Sequence, residues 1–272
     1  PKRDWSSDVC SSDLKKEKFM FIDTHCHLYD KKIENIAEVV KRAEENNVKK
    51  MIVAGIDLSS SQEAVNLAKQ YSSVFANVGI YPESALDVDE KLLNNLYDLA
   101  QYEKVVGIGE IGLDYNYEVD RKIQQNALLK QIELAFSLKK PFVLHGRDAY
   151  GDAVNLLKQN KNLLAYGGTF HCYTGSRELA KEIIKLDLHI SVGGVSTFSN
   201  AKNVQEMICY VPTENILLET DAPYLAPTPM RGKVNEPSFI PYIAQNLARL
   251  KCCEISEIEE KTTKNAEKLF KF

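Results

Sequence analysis

The chain has no run of eighteen apolar residues, so no segment of it is expected to span a bilayer as a helix. It has no excess of positive charge either. With 34 Lys and Arg against 38 Asp and Glu, it is mildly acidic and shows no electrostatic footprint for non-specific duplex binding. A polyanionic substrate would then need bound cations, rather than a basic surface, to neutralise it. The six cysteines form no Cys-x-x-Cys pair and are too few to scaffold a chain of this length, which favours a reducing, cytoplasmic setting. Residues 1–19 lack an apolar stretch and a turn-bounded strand, and they repeat Ser-Ser-Asp at 6–8 and 11–13. They are read as a leader outside the fold, closer to a translated adaptor than to a secretory signal, which needs an uninterrupted apolar region. One domain is expected over 20–272, close to the ~250 residues of a single eight-stranded α/β barrel.

What the chain does have is alternation. Apolar strand-like runs fall at 21–24, 51–55, 74–80, 105–110, 141–145, 166–171, 189–193 and 216–221. The segments between them carry helical spacing, as in Ile33, Ile36, Val40 and Ala43, or Leu128, Ile132, Ala135 and Leu138. Near-continuous apolar strands alternating with helices imply a parallel sheet covered by helices, and eight such units close more naturally into a (β/α)8 TIM barrel than they extend an open sheet. An extra C-terminal helix is expected over 256–270, with Ser256 as its cap and Glu259 completing a capping box, packed on the outside of the barrel.

Four of the five histidines close apolar runs: His25 and His27, His145, and His171. Two carboxylates do the same, Glu110 and Asp221. Active sites of such barrels lie at the C-terminal strand ends, where residues distant in sequence can meet on one ion. His25 and His27 are two apart, so both leave an extended backbone on one face while Cys26 points away. His189 begins a run and is read as an ordinary core or surface histidine with its hydrogen bonds satisfied. Six ligands exceed the three protein ligands of a catalytic zinc site, so two divalent cations are expected, Mg2+, Mn2+ or Zn2+. Glu110 would bridge them, with His25, His27 and Asp221 on one side and His145 and His171 on the other. Asp221 could also accept a proton from an attacking water.

At these residues the chain resembles the TatD family of metal-dependent deoxyribonucleases, a branch of the amidohydrolase-like barrels. The resemblance is carried by Phe21-Ile22-Asp23-Thr24-His25-Cys26-His27-Leu28, Gly109-Glu110-Ile111-Gly112-Leu113-Asp114-Tyr115, His145-Gly146-Arg147-Asp148-Ala149, His171-Cys172-Tyr173-Thr174-Gly175 and Glu219-Thr220-Asp221-Ala222-Pro223-Tyr224-Leu225. Asn235-Glu236-Pro237 and Asn265 also fit. It implies divalent-metal-dependent hydrolysis of DNA, as a 3′–5′ exonuclease acting on single strands or 3′ ends, with the six residues above as ligands. Where the family commonly has histidine after the third strand, this chain has Tyr81, which cannot carry a positive charge at neutral pH. Tyr81 and Glu236 are taken, with Arg147, as substrate-binding residues; Arg147 could grip a phosphate in bidentate fashion or pair with Asp148.

Softer readings concern the rim. Arg231 and Lys233 could frame the entrance or be solvated. Tyr115 and Tyr173 could stack bases or pack at the barrel rim, with packing favoured. Cys172 should face away from the ligands as a small core residue. A second enzyme reading keeps the site and changes the bond to a carboxylic ester or amide, as in an aminoacyl-tRNA deacylase. A non-catalytic metal-stabilised module is disfavoured, because closed structural zinc sites prefer cysteine and none of the six ligands is one.

Overall fold

The computed structural model describes residues 20–272, and the leader expected over 1–19 lies outside the described residues. Eight strands follow one another around the sheet: β1 Phe21–Cys26, β2 Val48–Ala54, β3 Val74–Val78, β4 Val105–Asp114, β5 Phe142–Arg147, β6 Gly168–Phe170, β7 His189–Val192 and β8 Ile216–Leu218. Every neighbouring pair is parallel. Residues just beyond β8 close the ring on β1: Asp221 N–H donates to His25 O at 2.9 Å and His27 N–H to Ala222 O at 2.7 Å. All residues of β1 and β4 are buried, as in parallel strands covered on both faces.

The helices are α1 Ile36–Glu45, α2 Leu58–Gln70, α3 Glu90–Leu99, α4 Arg121–Ser137, α5 Tyr150–Gln159, α6 Arg177–Ile184, α7 Lys202–Tyr210, α8 Ile240–Lys251 and α9 Ile255–Phe270. Local chemistry starts several of them. Asn35 caps α1 by accepting from Glu38 N–H, and Ser176 caps α6 by accepting from Leu179 N–H. Asp57 and Ser60 form a reciprocal capping box on α2. Among the described residues no helix is long and apolar enough to cross a membrane.

The barrel is as expected, and three local expectations are corrected. β4 does not stop at Glu110; its pairing with β5 continues to Asp114 opposite Arg147. Gly112 allows this, because its φ of 155° and the 2.1 Å between a would-be Cβ and His145 O leave no room for a side chain. The last helix begins at Ile255 after Glu254, so Ser256 is inside its first turn, and Glu259 accepts from Asn47 Nδ2 instead of completing a cap. That helix also leaves the outer wall. Ala266, Leu269 and Phe270 of α9 pack with Ile22, Ile52, Val106, Val143 and Leu217, side chains from strands on opposite sides of the ring that can meet only across its axis. α9 therefore stoppers the end where the strands begin. Asn265 Nδ2 donates to both Thr213 O and Ile216 O there, at 2.8 Å each.

Candidate metal centre

The opposite mouth of the barrel brings all six expected ligands together. His25, on β1, is fully buried, and His27 lies just past that strand; Glu110 is mid-β4 and His145 is on β5. His171 follows β6 by one residue, and Asp221 follows β8 by three. Asp221 takes a left-handed backbone, φ 57°, unusual for a residue with a side chain. Asp23 organises this crossing of β1 and the β8 loop. Its carboxylate accepts from Thr220 N–H at 2.9 Å, from the Thr220 hydroxyl and from His25 N–H at 3.2 Å. Burial pushes its carboxyl up to about 7 against those hydrogen bonds.

The two oxygens of Glu110 face two sets of donors. Oε2 lies 3.3 Å from His25 Nε2 and 3.5 Å from His27 Nε2. Asp221 Oδ1 approaches the same nitrogens at 3.8 and 3.4 Å, and the nitrogens are 3.2 Å apart. On the other side, Oε1 lies 2.9 Å from His171 Nε2 and 3.1 Å from His145 Nδ1, which are themselves 3.1 Å apart. Donor atoms about 2.1 Å from one ion are separated by about 3.0–3.4 Å in octahedral or tetrahedral geometry. Both sets have nearly that spacing. Two triads with donor atoms all within 4.8 Å of one another, His25–His27–Asp221 and His25–Glu110–His171, share His25, whose ring stacks on that of His171 at 4.0 Å. The shorter contact of His171 with Oε1 assigns it to the side of His145. Imidazole nitrogens facing one another around the buried Glu110 and half-buried Asp221 carboxylates suit a divalent cation well, so the residues present fit two such ions.

Charge is distributed accordingly. Burial opposes ionisation of Glu110, but the charge of His171 and hydrogen bonds from His145, His171 and His25 hold its carboxyl well below the usual range. Asp221, half-buried, is likewise held low by His27 and His171. Burial, then the neighbouring His171 charge, lowers the pKa of His25. His27, His145 and His171 are pushed down by burial but raised overall by their carboxylate partners.

Outer contacts aim the rings. His27 Nδ1 lies 3.0 Å from Ala54 O, where an N–H can donate and leave Nε2 inward. His145 Nε2 lies 3.2 Å from Asp114 Oδ2, leaving Nδ1 inward. Asp114 was missed as a site residue in the sequence. It shares strand parity with Glu110 four residues earlier, a period-two signal hidden by ending the strand at Glu110. Tyr29, whose hydroxyl donates to Ala54 O at 2.8 Å, was missed as well.

The centre floors a cavity of about 240 Å3 whose walls include Tyr29, Asp30, Tyr81, Glu83, Tyr117 and Tyr224. Tyr81 is thus in the wall, its hydroxyl donating to Asp114 Oδ2 at 2.9 Å. Arg147 is exposed and lines an adjacent groove with Asp148 and Tyr150, outside the cavity wall. Glu236 is also outside it: Arg42 of α1 grips its carboxylate at 2.6 Å. Tyr173 is a packing residue, only 2 % exposed, with Tyr150 at 4.7 Å. Tyr115 is held by Asp152 and lies under Arg121. Cys172 has left the strand at φ 42°, half-buried, its N–H donating to Glu219 Oε1. Arg231 covers Phe198 at 3.8 Å, and His189 is buried at the start of β7, apart from the ligand cluster.

A profile of the TatD-related DNase family matches residues 22–271. An uncharacterized metal-dependent hydrolase, YabD, of Bacillus subtilis is 40% identical over 93% of this chain and 99% of its own length. The YcfH metal-dependent hydrolase of Escherichia coli K12 is 34% identical over 92% and 95%. The crystal structure of YJJV, a TatD homologue from Escherichia coli K12, superposes with a TM-score of 0.86 at 30% identity, covering 93% of this chain and 98% of that one.

Proposed function

Because the chain belongs to the TatD family of metal-dependent hydrolases, we propose that its carboxylate-bridged centre cleaves phosphodiester bonds in DNA, removing nucleotides from a 3′ end. The observation that carries this reading is the division of Glu110 between two donor sets, the arrangement that a pair of ions clamping a phosphodiester would need. Divalent ions held there would supply Lewis acidity, an acidified water and a clamp on the attacking and leaving oxygens. The side chains do the rest. Glu110 fixes the separation of the two sets, while Asp221, a carboxylate on the cavity floor held in its ionised form, is placed to take the proton of the attacking water. Tyr29, Tyr117 and Tyr224 offer aromatic walls to a base. A cavity of about 240 Å3 suits a chain end better than a continuous duplex.

A 5′-labelled single-stranded DNA oligomer incubated with the protein and Mg2+ or Mn2+ tests this reading. The expected product is a ladder shortening from the 3′ end and abolished by chelator. Intact DNA under every metal would sink it.

One observation favours a second substrate class. Among the described residues no Lys or Arg lines the cavity, whereas Asp30 and Glu83 do. Acidic groups at the mouth disfavour further phosphates and suit an ammonium, as in an aminoacyl ester of tRNA. Faster turnover of an aminoacyl ester than of the DNA oligomer, under identical metal conditions, would select that bond.

A further inference from the structure

Two buried glutamines of α4 hold the strand ends beside the centre. Gln131, 1 % exposed, accepts from Ile80 N–H at 2.8 Å and donates through Nε2 to Ile80 O at 3.1 Å. Gln124, 0 % exposed, does the same for Asp114, accepting from its N–H at 2.8 Å and donating to its carbonyl at 2.9 Å. They are seven residues apart, two turns along one helical face, so α4 sets the spacing between Asp114 and the residue preceding Tyr81.

With both backbones fixed, Tyr81 O–H donates to Asp114 Oδ2 at 2.9 Å. His145 Nε2 lies 2.9 Å from the phenol oxygen and 3.2 Å from that same Oδ2. An ionised carboxylate only accepts, and the phenol hydrogen is already committed to it. Nε2 must therefore be the donor, which leaves the imidazole lone pair on Nδ1. That atom faces Glu110 Oε1 and His171 Nε2, each at 3.1 Å.

We propose that Asp114 and Tyr81, spaced by Gln124 and Gln131, are positioning residues that preset His145 for the ion it would share with His171 and Glu110, and so set that ion's affinity. The inference rests on the two-ion reading of the centre. It assigns Tyr81 a supporting role, its hydroxyl engaged by Asp114 instead of being offered to a phosphate.

The test is a titration of the metal-stripped chain with Co2+, followed by calorimetry and by the visible absorption of each bound equivalent. The unaltered protein should take up two. Asp114→Asn keeps an oxygen for Asn116 N–H but turns an amide N–H2 toward His145. It should weaken one equivalent by about 10- to 100-fold while leaving the other and its spectrum unchanged. Tyr81→Phe and Gln131→Leu should weaken the same equivalent by less, and together no more than the stronger alone, because both act through one hydrogen bond. Unchanged uptake by Asp114→Asn and Tyr81→Phe would overturn the proposal. Equal weakening of both equivalents in every variant would overturn it too, by showing a general loosening. A single equivalent on the unaltered protein would overturn the two-ion reading and this proposal with it. DNA takes no part in the titration, so failure of the nuclease reading would leave these outcomes distinct.

Discussion

Glu110 is the residue on which the two halves of the centre depend, because each of its oxygens serves a different pair of histidines. Glu110→Gln keeps the shape but replaces one oxygen with an N–H2 group, which cannot ligate. The expected result is loss of at least one bound equivalent and a fall in turnover of about 100-fold or more, read by metal analysis of the desalted protein beside its hydrolytic rate. The six residues that meet at the barrel mouth were conspicuous in the sequence because histidine and carboxylate at the ends of apolar runs are chemically distinctive. Glu236 was not legible, since its partner Arg42 is 194 residues away and only the fold joins them. Arg42→Ala should lower the unfolding free energy by at most about 1 kcal/mol, as for other exposed ion pairs, and leave KM unchanged. A rise in KM would return Glu236 to the substrate.

At the scale of elements, the alternation of strand and helix could be read directly, but strand lengths and helix destinations could not. A strand continues as long as its neighbour pairs with it, so β4 ran on past Glu110 beside β5 and carried Asp114 into the site. The helical spacing near the C-terminus said that one face of α9 is buried, and nothing in that spacing said it would be buried across the barrel's axis. Two substitutions probe these elements. Gly112→Ala places a Cβ 2.1 Å from His145 O at a φ of 155°, forcing β4 from β5. A loss of about 3 kcal/mol or more is expected in denaturant unfolding. Asn265→Ala removes the side-chain donor shared by Ile216 O and Thr213 O, the latter keeping the Ile216 N–H, and should cost about 1–3 kcal/mol, with turnover of the metal-loaded protein unchanged. A matching fall in turnover would mean that the stoppered end and the site are not independent.

For the whole molecule, the centre concentrates like-charged and opposite-charged groups that only one barrel closure brings together, so its ions and its stability are linked. Ions that bind only the folded chain at 100 times their Kd add about 2.7 kcal/mol, which for a domain of this size shifts Tm by ~5–11 °C. Chelator should therefore lower Tm by that order in a scanning experiment. The size of the drop should depend on pH, and its sign follows from the histidines. In the metal-free protein His27, His145 and His171 hold protons to higher pH than ordinary histidine, because Glu110, Asp221 and Asp114 outweigh their burial. Such a raised group stabilises the fold below its ordinary pKa of about 6.5, and that stabilisation is lost as pH rises through its folded value. Ions require the same imidazoles neutral, so their affinity rises over the same span and each binding event releases protons. The gap in Tm between metal-loaded and chelated protein should widen from pH 6 to pH 8. Calorimetric heats of binding should change with the ionisation enthalpy of the buffer. A gap that narrows with pH, or heats independent of buffer, would mean that the facing imidazoles are already neutral before any ion binds.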